Sequence, residues 1–524
     1  MHLLDRLDPS ARHDSGLPAR RFFSFPEDGL GAPLSAGLRS MLFALPLGLL
    51  VLSGCKAVGP NYHRPGFQAP ATYKETGATS VAVPPPNPQG GSWKPANPSD
   101  GMIRGKWWEI YSDPELNKLE ETVTTNNAQL KQALDTYLAA SEEVAAARAN
   151  FYPTLSANAS ISRSRGSYNQ PGAPSAKNLQ NNVFLLAGQA SWEPDFFGRI
   201  RRLVEENRAN AQASAAVMAD LDLTLHAELA TDYFELRGLD SEAKLLRDTV
   251  ADEERQLELT QRLLAGGVDT AVDVAQAQTQ LDNTNAQLVA VGVARAQFEH
   301  AIGTLDNVSL TTFSMPFSPL DLPLPTIPLG VPSQLLERRP DIAAAERAVA
   351  AANAQIGIAI SAFYPTIPII ATGGFESTHP GTWIQGPSSL WSLGAQAAEL
   401  LFDAGQRRAF TNIARFQYDA LVNGYRNTVF QAFDDVENQL SSLRILEQES
   451  EVEQQAVASA QNSFNLSNQR FRGGVTTYLE VLTAEQTLLQ DQSTAISIQT
   501  SQFAASVGLV RALGGGWDVT QLPH

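Results

Sequence analysis

The sequence predicts a mostly α-helical chain that also carries β-strands of membrane-barrel type, built as two copies of one unit. Three observations predict it. The first is an internal repeat: FFGRIRRLVEEN running to a GGV turn at Gly266 is echoed by FDAGQRRAFTNI running to a GGV turn at Gly473, with an offset of about 207 residues. FYPT at Phe151 also returns at Phe363. The second is two long stretches without proline, from Pro194 to Pro316 and from Pro387 to Pro523. The third is a pair of alternating apolar and polar segments in each copy, of the length a transmembrane β-strand needs.

The proline-free stretches are dominated by Ala, Leu, Gln, Glu and Arg, all good helix formers. Val217, Leu221, Leu225, Leu229 and Tyr233 recur at helical spacing. A helix from Arg199 to Ala265 would run about 67 residues and roughly 100 Å, far beyond an ordinary globular helix. The GGV turn breaks it, and a second helix follows from about Ala271 to His300. Each copy is therefore a long antiparallel helical hairpin. Upstream, Asp113-Pro114-Glu115 reads as an N-cap with proline at the first helical position. One helix is expected from there to about Asn150, ending before Pro153.

After it, Leu155, Ala157, Ala159 and Ile161 face one way, and Thr154, Ser156, Asn158, Ser160 and Ser162 the other. Beyond a polar loop, Phe184, Leu186, Gly188, Ala190 and Trp192 make one face of a second strand. The second copy repeats this with Ile367, Ile369, Ala371 and Phe375, then Trp391, Leu393, Ala395 and Ala397. A soluble β-hairpin domain would show the same pattern, because barrel signals are weak per segment.

Near the start, the apolar run Met41–Leu52 follows Arg39 and ends Leu-Ser-Gly-Cys at Cys55. A basic flank, a dozen apolar residues and small residues at the end describe a secretory signal, and the ending resembles a lipoprotein cleavage site. Cys55, the only cysteine, would then be the acylated first residue. The expected organisation is a leader and signal at 1–54 and an extended lipid-anchored segment at 55–105, rich in Pro, Gly, Asn and Ser. The first repeat covers 106–302, with its β-hairpin at 154–193 and its tip at 265–270. A Pro- and Leu-rich linker at 303–331 leads to the second repeat at 332–516, with its β-hairpin at 366–401 and its tip at 472–477. Residues 517–524 form a tail.

A net charge of −17 over 524 residues argues against nucleic-acid binding, and one cysteine excludes an internal disulfide. No run of 18 or more apolar residues occurs. Enzymatic chemistry has no support. His63, His226, His300, His379 and His524 are scattered, and no HExxH, GxSxG or phosphate-loop motif is present. Neither a metal nor a cofactor is expected, and the many helical acids read as solvated faces.

Four strands cannot close a barrel, and an open sheet edge cannot face lipid. Several chains must then share one barrel. Two chains give eight strands with a filled interior, whereas three give twelve and room for a channel. The helices would continue the wall as a tube.

The strings CKAVGPNYHRP, SWEPDFFGRIRR, LLERRPDIAAAERAVAAANAQIG, LFDAGQRR and RGGVTTYLEVLTAEQTLL carry a resemblance. The chain resembles the TolC-like outer-membrane efflux channels, in their NodT-type lipoprotein branch, from about Cys55 to Gly516. The resemblance implies a homotrimer with a twelve-stranded outer-membrane barrel and a periplasmic helical tunnel. It implies a periplasmic membrane-fusion adaptor and an inner-membrane pump of the resistance-nodulation-division type as partners. It also implies that Gly266, Gly267, Gly473 and Gly474 form adaptor-docking tips, and that Asp273 and Glu480 form an acidic periplasmic constriction. At Thr483 the chain departs from the commoner pattern of a second acid. Two other functions share much of this pattern: the outer-membrane duct of a type I protein secretion system, and a structural coiled-coil periplasmic lipoprotein.

Overall fold

The computed structural model of the chain describes residues 56–70, 72–75, 105–167, 180–328 and 334–523, so the expected acylation site Cys55 lies outside the described residues. Two compact units are present. Of the described residues, one draws on those within 56–61, 146–205 and 354–415, and the other on those within 62–145, 206–353 and 416–523.

The first unit holds a four-stranded antiparallel sheet, β1 (Thr154–Arg165), β2 (Gln180–Trp192), β3 (Ile369–Ser377) and β4 (Ser389–Ala395), in that spatial order. The register brings the apolar sets onto one face. Ile161 lies opposite Phe184 and Ala159 opposite Leu186. Leu186 pairs with Phe375, Ala190 with Ala371, Ala371 with Leu393, and Gly373 with Trp391. Alternate residues share a face, so one apolar surface runs across all four strands. It is not covered: Leu155, Ile161, Trp391 and Leu393 are all exposed. The opposite face carries Ser156, Asn158, Gln189, Thr372 and Ser392. Ile367 and Ala397, expected as the outer members of the second hairpin, fall outside β3 and β4. These strands are shorter because Pro368 removes a ladder donor just before β3.

The chain's long helices are α3 (Arg199–Ala265) and α4 (Ala271–Leu305), then α6 (Gln406–Arg472) and α7 (Tyr478–Ala512). Both first helices have 67 residues and both second helices 35. Shorter helices precede each β-hairpin: α1 (Pro114–Asn126) and α2 (Ala128–Ala149) in the first copy, α5 (Pro340–Ser361) in the second. The single helix expected from Pro114 to Asn150 is in fact two. Asn127 leaves helical geometry, and its side-chain oxygen accepts from Gln129 N and Leu130 N at 2.8 and 3.1 Å, starting α2 afresh. Its amide nitrogen donates to Leu305 O at 2.9 Å, which fixes the break against the end of α4. Asp113 caps α1 by accepting from Glu115 N and Leu116 N.

In the second unit, Leu225, Leu229, Tyr233 and Leu236 are buried, but Val217 is exposed and Ala216 takes its place inside. The physical reason is angular. Residues spaced by four advance 400°, so the stripe drifts by about 40° per step and Val217 has rotated out of it. α4 also runs past the expected His300 to Leu305. The segment after it has no regular structure but is fastened. Arg237 donates to Pro316 O at 2.7 Å, Arg295 to Met315 O at 2.9 Å, and Ser318 N to the buried Asp240 at 2.9 Å.

The acids expected on solvated faces divide into two groups. Glu120, Asp240, Glu253, Asp306, Glu346 and Glu485 are all buried. His226 is buried beside Glu120 and stacks on Trp108 at 4.5 Å.

The N-terminal segment is pinned in both units. In the first, Val58 N donates to Phe197 O at 3.0 Å, and the buried Arg202 donates to Val58 O, Gly59 O and Asn61. Gly59 has φ +89°, and a Cβ there would lie 2.5 Å from the Cα of Gly357. In the second, Lys74 N and Glu75 N donate to the Glu437 carboxylate, and Tyr73 enters a core of Leu335, Val436, Leu440 and Leu509.

Candidate functional site: the hairpin tips

Both α3 and α6 end in the same way. Gly266 N donates to Arg262 O, Gly267 N to Leu264 O and Val268 N to Leu263 O, at 3.0, 2.9 and 3.0 Å. In the second copy Gly473 N donates to Gln469 O, Gly474 N to Phe471 O and Val475 N to Arg470 O, at 3.0, 2.8 and 2.9 Å. This is the Schellman arrangement, which satisfies carbonyls a helix end would otherwise orphan. It requires a left-handed residue, supplied by Gly267 at φ +75° and Gly474 at φ +68°. Gly266 and Gly473 have no such need. A Cβ on Gly266 would meet Arg262 O at 3.5 Å, an ordinary contact.

A Schellman turn usually buries the apolar residue after the glycine against the helix. Here Val268 is 73% exposed and Val475 is 71% exposed, with Val272 and Leu479 also open. Each tip thus presents apolar side chains outward. Behind them lies an apolar cluster of Leu257, Ala277, Leu281, Phe471, Tyr478 and Val481, in which Phe471 and Tyr478 meet edge-on at 5.5 Å.

Asp273 and Glu480 occupy equivalent places in the first turns of α4 and α7, yet have different partners. Asp273 closes a capping box: its carboxylate accepts from Thr270 N at 3.2 Å, while Thr270 Oγ1 accepts from Asp273 N at 3.3 Å. Partial burial works to raise the Asp273 carboxyl, but bonds from Thr270 and Asp269 hold it below the usual range. Burial, followed by the neighbouring Asp273, pushes Asp269 up. Glu480 instead faces Arg470 across the tip at 3.5 Å, with both side chains more than half exposed. Thr477, which matches Thr270, makes no side-chain cap. The two acids are therefore unequal: among the described residues no base pairs with Asp273, whereas Glu480 has a cation beside it.

One polar group at this end was not legible as functional. Glu253 and Glu485 lie just behind the tips and are 1% and 5% exposed. A signal for them existed. Glu485 is four residues after Val481 and three before Leu488, and Glu253 three after Val250 and four before Leu257, so both sit within apolar stripes.

The outer membrane efflux protein family matches this chain at residues 120–307 and 331–515, one stretch for each repeat. The chain belongs to the outer membrane efflux protein family. It is similar to the probable efflux pump outer membrane protein TtgC of Pseudomonas putida, at 29% identity over 489 residues, covering 91% of this chain and 96% of that one. It is 30% identical over 480 residues to the solvent efflux pump outer membrane protein SrpC of Pseudomonas putida, covering 91% and 99% of the two chains. Among solved structures, the outer-membrane channel OprN matches with a TM-score of 0.79 at 28% identity, covering 88% of this chain and 99% of that one. The open state of the MtrE outer membrane channel of Neisseria gonorrhoeae matches with a TM-score of 0.73 at 27% identity, covering 88% and 98%. The chain is an outer-membrane efflux channel component, and the sheet and long helical hairpins described above are the fold of this family. No helix among the described residues is long and apolar enough to cross a membrane.

Proposed function

We propose that three copies of this chain close one twelve-stranded barrel in the outer membrane, and that their helical hairpins continue it as a passive periplasmic duct. The observation that carries this is the sheet with two free edges. β1 and β4 are the outer strands of the order β1-β2-β3-β4, and β1 is exposed along all 12 residues. In lipid each unpaired backbone group costs several kcal/mol, so both edges need partners. The strands alternate in direction, so β4 of one copy meets β1 of the next antiparallel, and the pattern repeats around a closed ring. The apolar face turns to lipid and the Ser-, Asn- and Gln-bearing face to a wet lumen. Two copies would give eight strands and a filled interior; three leave a passage. Native mass spectrometry in detergent should show three chains, and a stable monomer or dimer refutes the arrangement.

The cargo in this proposal is small molecules, in keeping with relatives named for the efflux of solvents, toluene and antibiotics. A periplasmic membrane-fusion adaptor and an inner-membrane pump of the resistance-nodulation-division type would deliver it. The exposed Val268 and Val475 beside Gly266, Gly267, Gly473 and Gly474 supply the adaptor contact. Cys55, acylated, adds a lipid anchor. Asp273 and Glu480 line the narrow end, where three-fold symmetry gathers them into a ring that favours cations. The Arg470 beside Glu480 weakens its share. Under a salt gradient in planar bilayers, Asp273→Ala should shift the reversal potential more than Glu480→Ala. An unchanged potential in both variants removes these residues from the constriction.

A further inference from the structure

We propose that Glu253 and Glu485 form a buried proton-binding site that latches the two helical hairpins of one chain together behind their tips. Glu253 lies on α3 and Glu485 on α7, and the seam between the hairpins runs beside them, because Gln280 on α4 donates to Glu253 and accepts from Gln486, the residue after Glu485. Glu253 accepts from Gln280 Nε2 at 2.9 Å and from Thr284 Oγ1 at 2.8 Å, both on α4, through one oxygen only. Its other oxygen, and Oε2 of Glu485, are buried without a hydrogen-bond partner. Around them the seam is polar but neutral. Gln486 donates to Gln280 Oε1 at 2.9 Å, and Gln256 donates to Asn468 Oδ1 at 3.3 Å. Tyr478 is the remaining titratable group, and among the described residues no Lys, Arg or His pairs with either carboxyl.

Two buried carboxylates without a cation cannot both be ionised. One proton resolves the conflict, because a protonated carboxyl donates where a carboxylate can only accept. The electrostatics agree with the geometry. Burial, then the charge of Glu253, pushes Glu485 up to about 7. Burial also raises Glu253, although Gln280 and Thr284 donate to it. The sign follows. A carboxyl raised in the folded seam binds its proton better there than in a separated one. The seam is therefore firm at low pH and loosens as pH rises toward and through about 7.

The consequence for conduction rests on the duct reading above. Loosening the seam lets the hairpins part behind the constriction, so channel conductance rises with pH. Two measurements on the full-length protein separate site from duct. Difference infrared spectroscopy should show buried protonated carboxyls that disappear as pH rises through about 7; Asp306 and Glu120 contribute beside this pair, so the site is read from the component that Glu485→Gln removes and Glu253→Gln alters. A titration unchanged in Glu485→Gln overturns the site. In planar bilayers, the ratio of conductance at about pH 8.5 to that at about pH 5.5 should exceed one in wild type and fall to about one in Glu485→Gln, a neutral side chain of similar shape. An unaltered ratio in a folded, conducting variant overturns the latch. A wild type with the infrared band but no conductance at any pH would refute the duct reading and leave the proton site standing.

Discussion

Moving a methyl group by one position along the tip should reverse its effect. Gly267→Ala puts a Cβ on a residue held at φ +75°, and Gly474→Ala on one at φ +68°. Space is no obstacle, because nothing lies within 4 Å of the added atom at either position. The cost is therefore purely conformational, about 1–2 kcal/mol for a non-glycine residue in the left-handed region. That lowers the ratio of correctly turned to unturned tips by roughly 5- to 30-fold per hairpin. Gly266→Ala and Gly473→Ala meet only ordinary contacts, with the nearest carbonyls at 3.5 and 3.4 Å, and Gly→Ala at a compatible position stabilises by about 0.4–1 kcal/mol. Cysteines at the exposed Val268 or Val475 would report docking through cross-linking to the adaptor, with drug susceptibility of cells as the functional readout. Gly267→Ala combined with Gly474→Ala should reduce both cross-linking and efflux while trimers still form. Gly266→Ala combined with Gly473→Ala should not, and Gly267→Asn should retain most function because Asn tolerates the left-handed region. Equal losses from both alanine pairs would show that the glycines matter for something other than the turn.

Four further outcomes follow from the buried polar groups and the N-terminal segment. His226→Leu strands the buried Glu120 carboxylate, so thermal unfolding followed by circular dichroism should reveal a loss of about 3–5 kcal/mol. Burial, then the charge of Glu120, pushes Asp306 up to about 7, so its contribution to stability is full at low pH and declines as pH rises from about 4 toward 7; Asp306→Asn should flatten that part of the denaturant-midpoint profile. Gly59→Ala adds strain at φ +89° and a clash with Gly357, and Arg202→Ala orphans the carbonyls of Val58 and Gly59. Limited proteolysis should cut both variants within residues 56–61 faster than wild type. Cys55→Ser should abolish labelling by palmitate; equal labelling of both proteins excludes acylation at this residue.

The helical hairpins were legible because their signal is long-range and redundant. Two proline-free stretches, two GGV turns and a repeat all point to the same boundaries. The sheet's apolar face was legible from period-two alternation in β1 and β2, and less so in the shorter β3 and β4. The break at Asn127 was not, since it depends on one side chain capping α2 and reaching Leu305 across 178 residues of sequence. Composition alone cannot distinguish a solvated helical acid from a buried one, and Glu120, Asp240 and Glu253 were read as the former. At the tips the glycine turns could be read directly, but the inequality of Asp273 and Glu480 could not. It rests on a capping box in one copy and a cross-tip Arg470 in the other.

The unequal strands give the proposed barrel a built-in order of disassembly. β1 and β2 are zipped along 12 residue pairs, whereas β4 offers only seven residues to whatever lies beside it. The joins between chains can therefore be no longer than the shortest ladder inside a chain, the seven pairs of β3 with β4, and they lack the covalent connections that tie the strands within each chain. Under detergent, heat or force the cylinder should split along three staves, each leaving as an intact four-stranded sheet with its hairpins attached. Insertion into the membrane would run the other way, with whole staves meeting edge to edge as the last step.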